Sequence, residues 1–218
     1  MTTHSPDLEA PRRLTADERR AAIEAVAFPV FAEHGFRGAS TAEIALAAGC
    51  SEGLLYKLFP TKLALFAAVL TSRNGGMHDR IDALSQDLRD VEDPLRRTHM
   101  ILQRCLGDRD LLMISRLRAA AVAMVHEEPI RTELKASVRD MRARWTGIVS
   151  DAQDRGYARR DVDAEQAGRT ITSLLIAELL LVAIDPSEAG GKYDQLRTIL
   201  ELLRAPNGPS RSTGKEPA

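Results

Sequence analysis

The chain has 218 residues, of which only 4% are aromatic, and Ala, Leu and Arg dominate without β-branched runs, which favours helix over sheet. Its formal charge is −1, and residues 1–70 hold seven Lys or Arg against eight Asp or Glu, so bulk basicity of the kind common in nucleic-acid binders is excluded. A DNA reader with this balance must converge its few cations on one face, where local potential decides binding.

Residues 1–14 are polar and Pro-containing and read as a flexible arm. A first helix is expected from about Thr15 to Glu33, with Ile23, Val26, Ala27, Val30 and Phe31 on one stripe. Pro29 inside it implies either a kink or an early end. Gly35 releases the chain and Gly38 ends the connector. Ser40-x-x-Glu43 is a capping box for a second helix, with Ile44, Ala45 and Ala48 inward and Gly49 as its left-handed stop. Ser51 is the N-cap of a third helix that turns Leu55, Leu58 and Phe59 to the core. Pro60 ends it, and Thr61 caps a fourth helix carrying Leu63, Phe66, Ala67 and Leu70. Asn74-Gly75-Gly76 is expected to interrupt that helix, leaving it at residues 62–73.

Beyond the interruption the periodicity stays helical. Residues 78–90 are amphipathic, Pro94 opens a helix reaching Cys105, Gly107-Asp108 is a break, and another helix covers 111–125. Pro129 opens a long helix with Ile130, Leu134, Val138, Met141, Trp145, Ile148 and Ala152 on one face, which Gly156 stops. Asp163 starts a penultimate helix ending near Asp185-Pro186, and 193–204 forms the last. Residues 206–218 are Pro-, Gly- and Ser-rich and are expected to be disordered. The division is therefore an arm (1–14), a small head (15–62) joined by the fourth helix (62–73), a body (74–205) and a tail (206–218).

Other chemistry finds little footing. Cys50 and Cys105 match no metal spacing and fit a reducing compartment. The five histidines have no catalytic or metal spacing, and no nucleophile elbow, phosphate loop or dinucleotide fingerprint occurs, so neither catalytic residues, nor metal, nor cofactor is expected. The apolar stretch Leu174 to Ile184 contains Glu178 and is too short to span a bilayer, and MTTHSPDLEAPRRLTADERR lacks an apolar signal core. The expected location is the cytoplasm, with no membrane partner.

The window STAEIALAAGCSEGLLYKLFPTK, from Ser40 to Lys62, is two short helices around a glycine-broken turn, with the first helix to pack against them. That is the arrangement of a helix-turn-helix reader of duplex DNA. Phe31, Gly35-Phe36, Ser40-Thr41, Ile44-Ala45, Ala48-Gly49, Ser51, Gly53, Leu55-Tyr56, Phe59 and Lys62, with Phe59-x-x-Lys62-x-x-Leu65, keep their order and spacing without a gap. Residues 16–70 thereby resemble the N-terminal domain of the TetR/AcrR family of bacterial one-component transcriptional regulators. The body matches that family only in helix count, length and the Gly156…Asp161…Asp163 turn.

The resemblance implies an all-α fold: an N-terminal three-helix helix-turn-helix DNA-binding domain followed by a larger helical ligand-binding and dimerisation domain. It implies that the third helix enters the major groove. Lys62 then contacts phosphate at the start of the fourth helix, Tyr56 and Thr41 present hydroxyls to phosphate, and Lys57 reaches a base edge, with guanine the expected one. Ser51, Glu52, Gly53 and Leu54 complete the presented turn; Ser51 reads equally as a cap, and Leu54 suits a thymine methyl. Leu58 stands where the family often has histidine, so one polar contact is missing, and Glu52 adds negative charge near DNA. Arg12, Arg13, Arg19 and Arg20 are further sources of positive charge.

One head reads too little DNA to select a site, so a homodimer on a palindromic double-stranded operator is expected, blocking polymerase by occupancy as a repressor. The resemblance places the dimer interface on the last two helices, where Leu174, Leu175, Leu179, Leu180, Leu181 and Val182 are apolar around nearly the whole circumference. It also implies release by a small-molecule effector in the body. Candidate lining residues are Met100, Gln103, Arg104, Met113, Leu117, Met124, Trp145, Val149 and Glu178, the methionines and lone tryptophan suiting an adaptable apolar cavity. Glu178 amid leucines calls for a cationic ligand or an arginine such as Arg104. The alternative is a helical protein-interaction module on the same fold without DNA binding.

Overall fold

Short capped helices at the N-terminus and long amphipathic ones after them build the molecule. The computed structural model describes residues 14–105, 109–185, 192–206, 208 and 209. Among these the chain forms nine helices: α1 (Ala16–Gly38), α2 (Thr41–Ala47), α3 (Glu52–Leu58), α4 (Lys62–Asp87), α5 (Pro94–Cys105), α6 (Arg109–Val122), α7 (Glu128–Asp154), α8 (Ala164–Ile184) and α9 (Lys192–Leu202). Their starts follow from side chains that satisfy first-turn amides. Ser40, Ser51, Thr61 and Asp163 accept from the backbone N–H three residues on, in α2, α3, α4 and α8 respectively. For α2 the Ser40 half of the expected box is in place, while the reciprocal pair forms at Thr15 and Glu18, which cap α1 from both sides.

Several elements differ from expectation. α1 runs past Pro29 and bends at Gly35, whose φ of +66° no L side chain adopts comfortably. The proline only removes one ladder bond, and buried Phe28 and Phe31 hold the helix on either side of it. The interruption expected at Asn74-Gly75-Gly76 is absent, so α4 is not confined to 62–73 but continues to Asp87. The physical reason lies outside the local sequence. Asn74 is buried, donates from Nδ2 to Glu133 Oε1 at 2.9 Å, and accepts from Arg118 Nε at 3.2 Å and Nη2 at 2.8 Å. Arg118 Nη2 also donates to Ser137 Oγ at 3.3 Å. These bonds from α6 and α7 hold α4 helical against the propensity of its two glycines. Burial pushes the Arg118 guanidinium below its usual pKa, and the Glu133 carboxylate acts in the opposite direction.

The end of the body is held by backbone hydrogen bonds. Arg159 N–H donates to the Leu203 carbonyl and Ala205 N–H to the Tyr157 carbonyl, each at 2.9 Å, and Gly208 N–H to the Ala205 carbonyl at 3.2 Å. The first two bonds seat the chain as far as Ala205 against the turn at Gly156, and Gly208 and Pro209 lie close to Gly156. Residues 210–218, the arm to residue 13, and the breaks expected at Gly107-Asp108 and Pro186 lie outside the described residues.

Among the described residues two apolar clusters fill the interior. The first joins Ile23, Phe31, Ile44, Leu55, Phe59 and Phe66 to Leu117 and Ala121 of α6 and Ile130 of α7. The head is therefore packed directly onto the body. The second gathers Leu95, Trp145, Val149, Ile171, Leu196 and Leu200 from α5, α7, α8 and α9. α7 and α8 form the most extensive helix pair and approach closely at Gly168, where an added Cβ would lie 2.4 Å from Thr146 Oγ1 and 2.8 Å from its backbone N.

Two expectations follow, both measured by urea unfolding at fixed protomer concentration. Gly168→Ala destabilises by about 1–3 kcal/mol through overpacking, whereas Gly147→Ala, on the exposed side of α7 with open space around it, is neutral or stabilising by up to about 1 kcal/mol. Asn74→Ala leaves Arg118 and Glu133 without their shared partner and costs about 2–4 kcal/mol.

Candidate nucleic-acid interface

The head presents its polar residues through two seven-residue helices that cannot hold themselves in water. What fixes them is the core beneath: Ile44 and Leu55 are fully buried, and the Cys50 N–H closes the turn on the Ala45 carbonyl at 2.9 Å. Gly49, at φ +65°, supplies the left-handed step between α2 and α3. Phe66 of α4 takes Phe31 and Phe36 of α1 edge-on, with ring centroids 5.0 and 5.5 Å away.

On the outer face, Ser51, Glu52, Gly53, Tyr56 and Lys57 are exposed, and Thr41 and Leu54 are half-buried. Lys57 makes no hydrogen bond or ion pair among the described residues, so its ammonium is available. Ser51 is occupied as a cap, its Oγ accepting from the Leu54 N–H at 3.2 Å. Lys62 is half-buried and turned toward the end of α1. Its Nζ donates to the Arg37 carbonyl at 3.4 Å and sits 5.0 Å from the Phe36 ring centre. Two of its three N–H donors remain for an anion.

Thr41, Glu52 and Tyr56 come together across the turn. Thr41 Oγ1 donates to Glu52 Oε1 at 2.7 Å and lies 3.2 Å from the Tyr56 hydroxyl. By sequence Glu52 is part of the presented turn and an added negative charge near DNA; the structure makes it a hydrogen-bond acceptor that ties α2 to α3. No periodicity could reveal this, because the bond spans a turn between two helices. Arg20 of α1 is placed over the Phe59 ring at 5.1 Å, and Arg12 and Arg13 lie outside the described residues.

In the body, the nine candidate lining residues are not gathered into one site. Leu117 is buried in the first cluster with Met113 and Met124 packed against it, while Trp145 and Val149 belong to the second. Gln103 and Arg104 are exposed, Met100 and Glu178 are half-buried, and among the described residues no ion pair joins Glu178 to Arg104. Residue type, which suggests these nine, does not distinguish core from cavity wall. Of the interface candidates, Leu175 packs into the second cluster, Leu174 is half-buried, and Leu180 and Leu181 are 40% and 48% exposed. The side chains of Leu179 and Val182 lie outside the described residues. Ile184, which the sequence does not single out, is 72% exposed on the same helix. Leu174, Gln195, Thr198 and Ile199 line an open groove of about 400 Å³ between α8 and α9. Among the described residues no His, Cys, Asp or Glu cluster could hold a metal, and no single helix is long and apolar enough to cross a membrane.

Comparison with known proteins points the same way. Residues 23–69 match the family described as bacterial regulatory proteins, tetR family. The nucleoid occlusion factor SlmA of Haemophilus influenzae is 31% identical over 105 residues, covering 47% of either chain. The HTH-type transcriptional activator FasR of Mycolicibacterium smegmatis is 36% identical over 85 residues, 39% of this chain and 37% of that one. The alignments thus span less than half the length of these relatives. A TetR-family transcriptional regulator from Cytophaga hutchinsonii superposes with a TM-score of 0.75 at 15% identity, over 89% of this chain and 99% of that one, which shows the shared fold.

The cap and the presented lysine should separate cleanly in a stability measurement. Ser51→Ala lowers unfolding free energy by about 1 kcal/mol, while Lys57→Ala stays within about 0.5 kcal/mol of the parent.

Proposed function

We propose that the chain, whose residues 23–69 match the tetR family of bacterial regulatory proteins, is a ligand-responsive repressor that binds a palindromic operator as a homodimer. The observation that carries the reading is the outer face of α2 and α3, where Thr41, Tyr56 and Lys57 stand above a core that fixes both helices. α3 enters the major groove with Lys57 on a base edge. Thr41, Tyr56 and Lys62 meet backbone phosphates and set the register.

Support for the dimer comes from α8 and α9. Leu180, Leu181 and Ile184 of α8 are exposed, and Leu174 and Ile199 line a groove between α8 and α9; a second copy would cover these apolar side chains. Two heads on one dimer read two half-sites, which supplies the selectivity that one head lacks. A body ligand releases DNA only if it prefers the head spacing that does not fit the operator, since equal affinity for both states shifts nothing. Repression follows from occupancy of a promoter and needs no activating surface.

The test is recovery of binding sites from sheared genomic DNA of the source organism at about 100 mM salt, where counterion release still permits binding. A palindrome enriched near a promoter is the expected result. Lys57→Ala relaxes the preferred bases at one or two positions, and Lys62→Ala weakens all sites alike. Recovery of no sequence by a folded dimer would overturn the reading in favour of a helical interaction module.

A further inference from the structure

We propose that Glu52 is an internal stand-in for a DNA phosphate, which keeps the hydroxyl protons of Thr41 and Tyr56 turned inward until DNA displaces it. The inference rests on the reading of this face as the DNA-binding surface and adds a residue that sets how strongly it binds.

The argument is one of donor accounting. A threonine hydroxyl has a single proton, and that of Thr41 is committed to Glu52 Oε1 at 2.7 Å. Thr41 Oγ1 can then only accept from the Tyr56 hydroxyl, 3.2 Å away, so the tyrosine proton is committed as well. The bonds run in one direction, from Tyr56 to Thr41 to Glu52, and end on a carboxylate. A phosphate oxygen accepts and cannot donate, so it meets two hydroxyls that offer it only lone pairs. For Thr41 to donate outward its proton must leave Glu52, breaking a bond to a charged acceptor that is about twice as strong as a neutral one. The carboxylate then remains beside the incoming phosphate and repels it. Glu52 is exposed, so water solvates it once released and the opposition is moderate.

Replacing Glu52 by glutamine keeps the shape and reverses the accounting. The amide carries no charge and can donate to Thr41, which frees the Thr41 proton to point outward. Glu52 is thus a positioning residue, acting through Thr41, and its signature is coupling between the two positions.

The experiment is a double-mutant cycle on the full chain, read by fluorescence anisotropy with a random-sequence duplex of about 30 base pairs at about 50 mM salt, where phosphate contacts dominate. Glu52→Gln tightens binding by about tenfold, and in a Thr41→Val background the same change yields about twofold, the remainder of simple charge removal. In both backgrounds the Glu52→Gln protein still unfolds cooperatively well above the temperature of the assay, so the change in binding is read on a folded head. An equal gain in both backgrounds would overturn the proposal by reducing Glu52 to a bulk charge. Weaker binding by Glu52→Gln would overturn it by making the carboxylate an aid to contact. If neither parent nor variant binds duplex at this salt while the fold is intact, the DNA-binding reading itself falls, and the proposal with it.

Discussion

The architecture depends on one buried amide. Arg118 and Glu133 do not meet directly; Asn74 stands between them, accepting from the guanidinium and donating to the carboxylate. A carboxamide offers both functions from one neutral group, so the opposite charges of α6 and α7 are joined through α4 without a further charge being added there. Ser137 adds a further acceptor for Arg118. The bonds fall near the middle of the helix that carries Lys62, Leu65 and Phe66 at its head end. With Leu117 and Ala121 of α6 in the same cluster as Phe31 and Phe66, head and body share both a polar joint and an apolar core. Under the proposed function, a ligand-driven rearrangement of α6 or α7 would therefore reach the head as displacement of α4, because packed interiors shift between discrete arrangements and do not deform continuously.

The head owes its own order to an uneven use of aromatics. All five phenylalanines fall between Phe28 and Phe66. Their edge-to-face contacts contribute about 0.5–1.5 kcal/mol per pair beyond area burial, concentrated where α2 and α3 are too short to contribute stability themselves. The same rings also engage cations: Arg20 lies over Phe59, Lys62 over Phe36 and Arg73 over Phe28. Several of the head's few positive charges are thus engaged in holding helices together, and Lys57 is left as the exposed cation of α3.

How much of this can be read from the sequence depends on how local the cause is. Helix starts at Ser51, Thr61 and Asp163 and stops at Gly49 and Gly156 are legible because one side chain or one positive φ decides each of them. The capping box at Thr15 and Glu18 is equally local and has the same spacing as Ser40 and Glu43, so the sequence offers it as plainly as the pair that forms only in half. The passage of α4 through Gly75 and Gly76 is different. Its cause is hydrogen bonding to residues 44 and 59 positions later, and such long-range bonds override local propensity without leaving a pattern. The body candidates show a second limit. Methionine and tryptophan suit a cavity and a core alike, so residue type groups Met113 with Trp145 although they sit in different clusters. Glu52 shows a third, since its charge is visible but its bond to Thr41 requires the geometry of the turn.

The charge balance, which at first counts against DNA binding, becomes coherent once head and dimer are considered together. Under the proposed function, a head with one exposed cation on α3, and hydroxyls already engaged by Glu52, would hold a half-site weakly. Two such heads on a dimer would bind strongly only when both engage, because the second contact is then intramolecular and gains an effective concentration that separate heads lack. That gain vanishes when the spacing no longer matches the operator. Tight individual heads would stay bound through a change in spacing; weak ones let go. Under the proposed function, the scarcity of outward positive charge is therefore what allows a displacement transmitted through Asn74 to switch occupancy, and a more basic head would make the same body a poorer sensor.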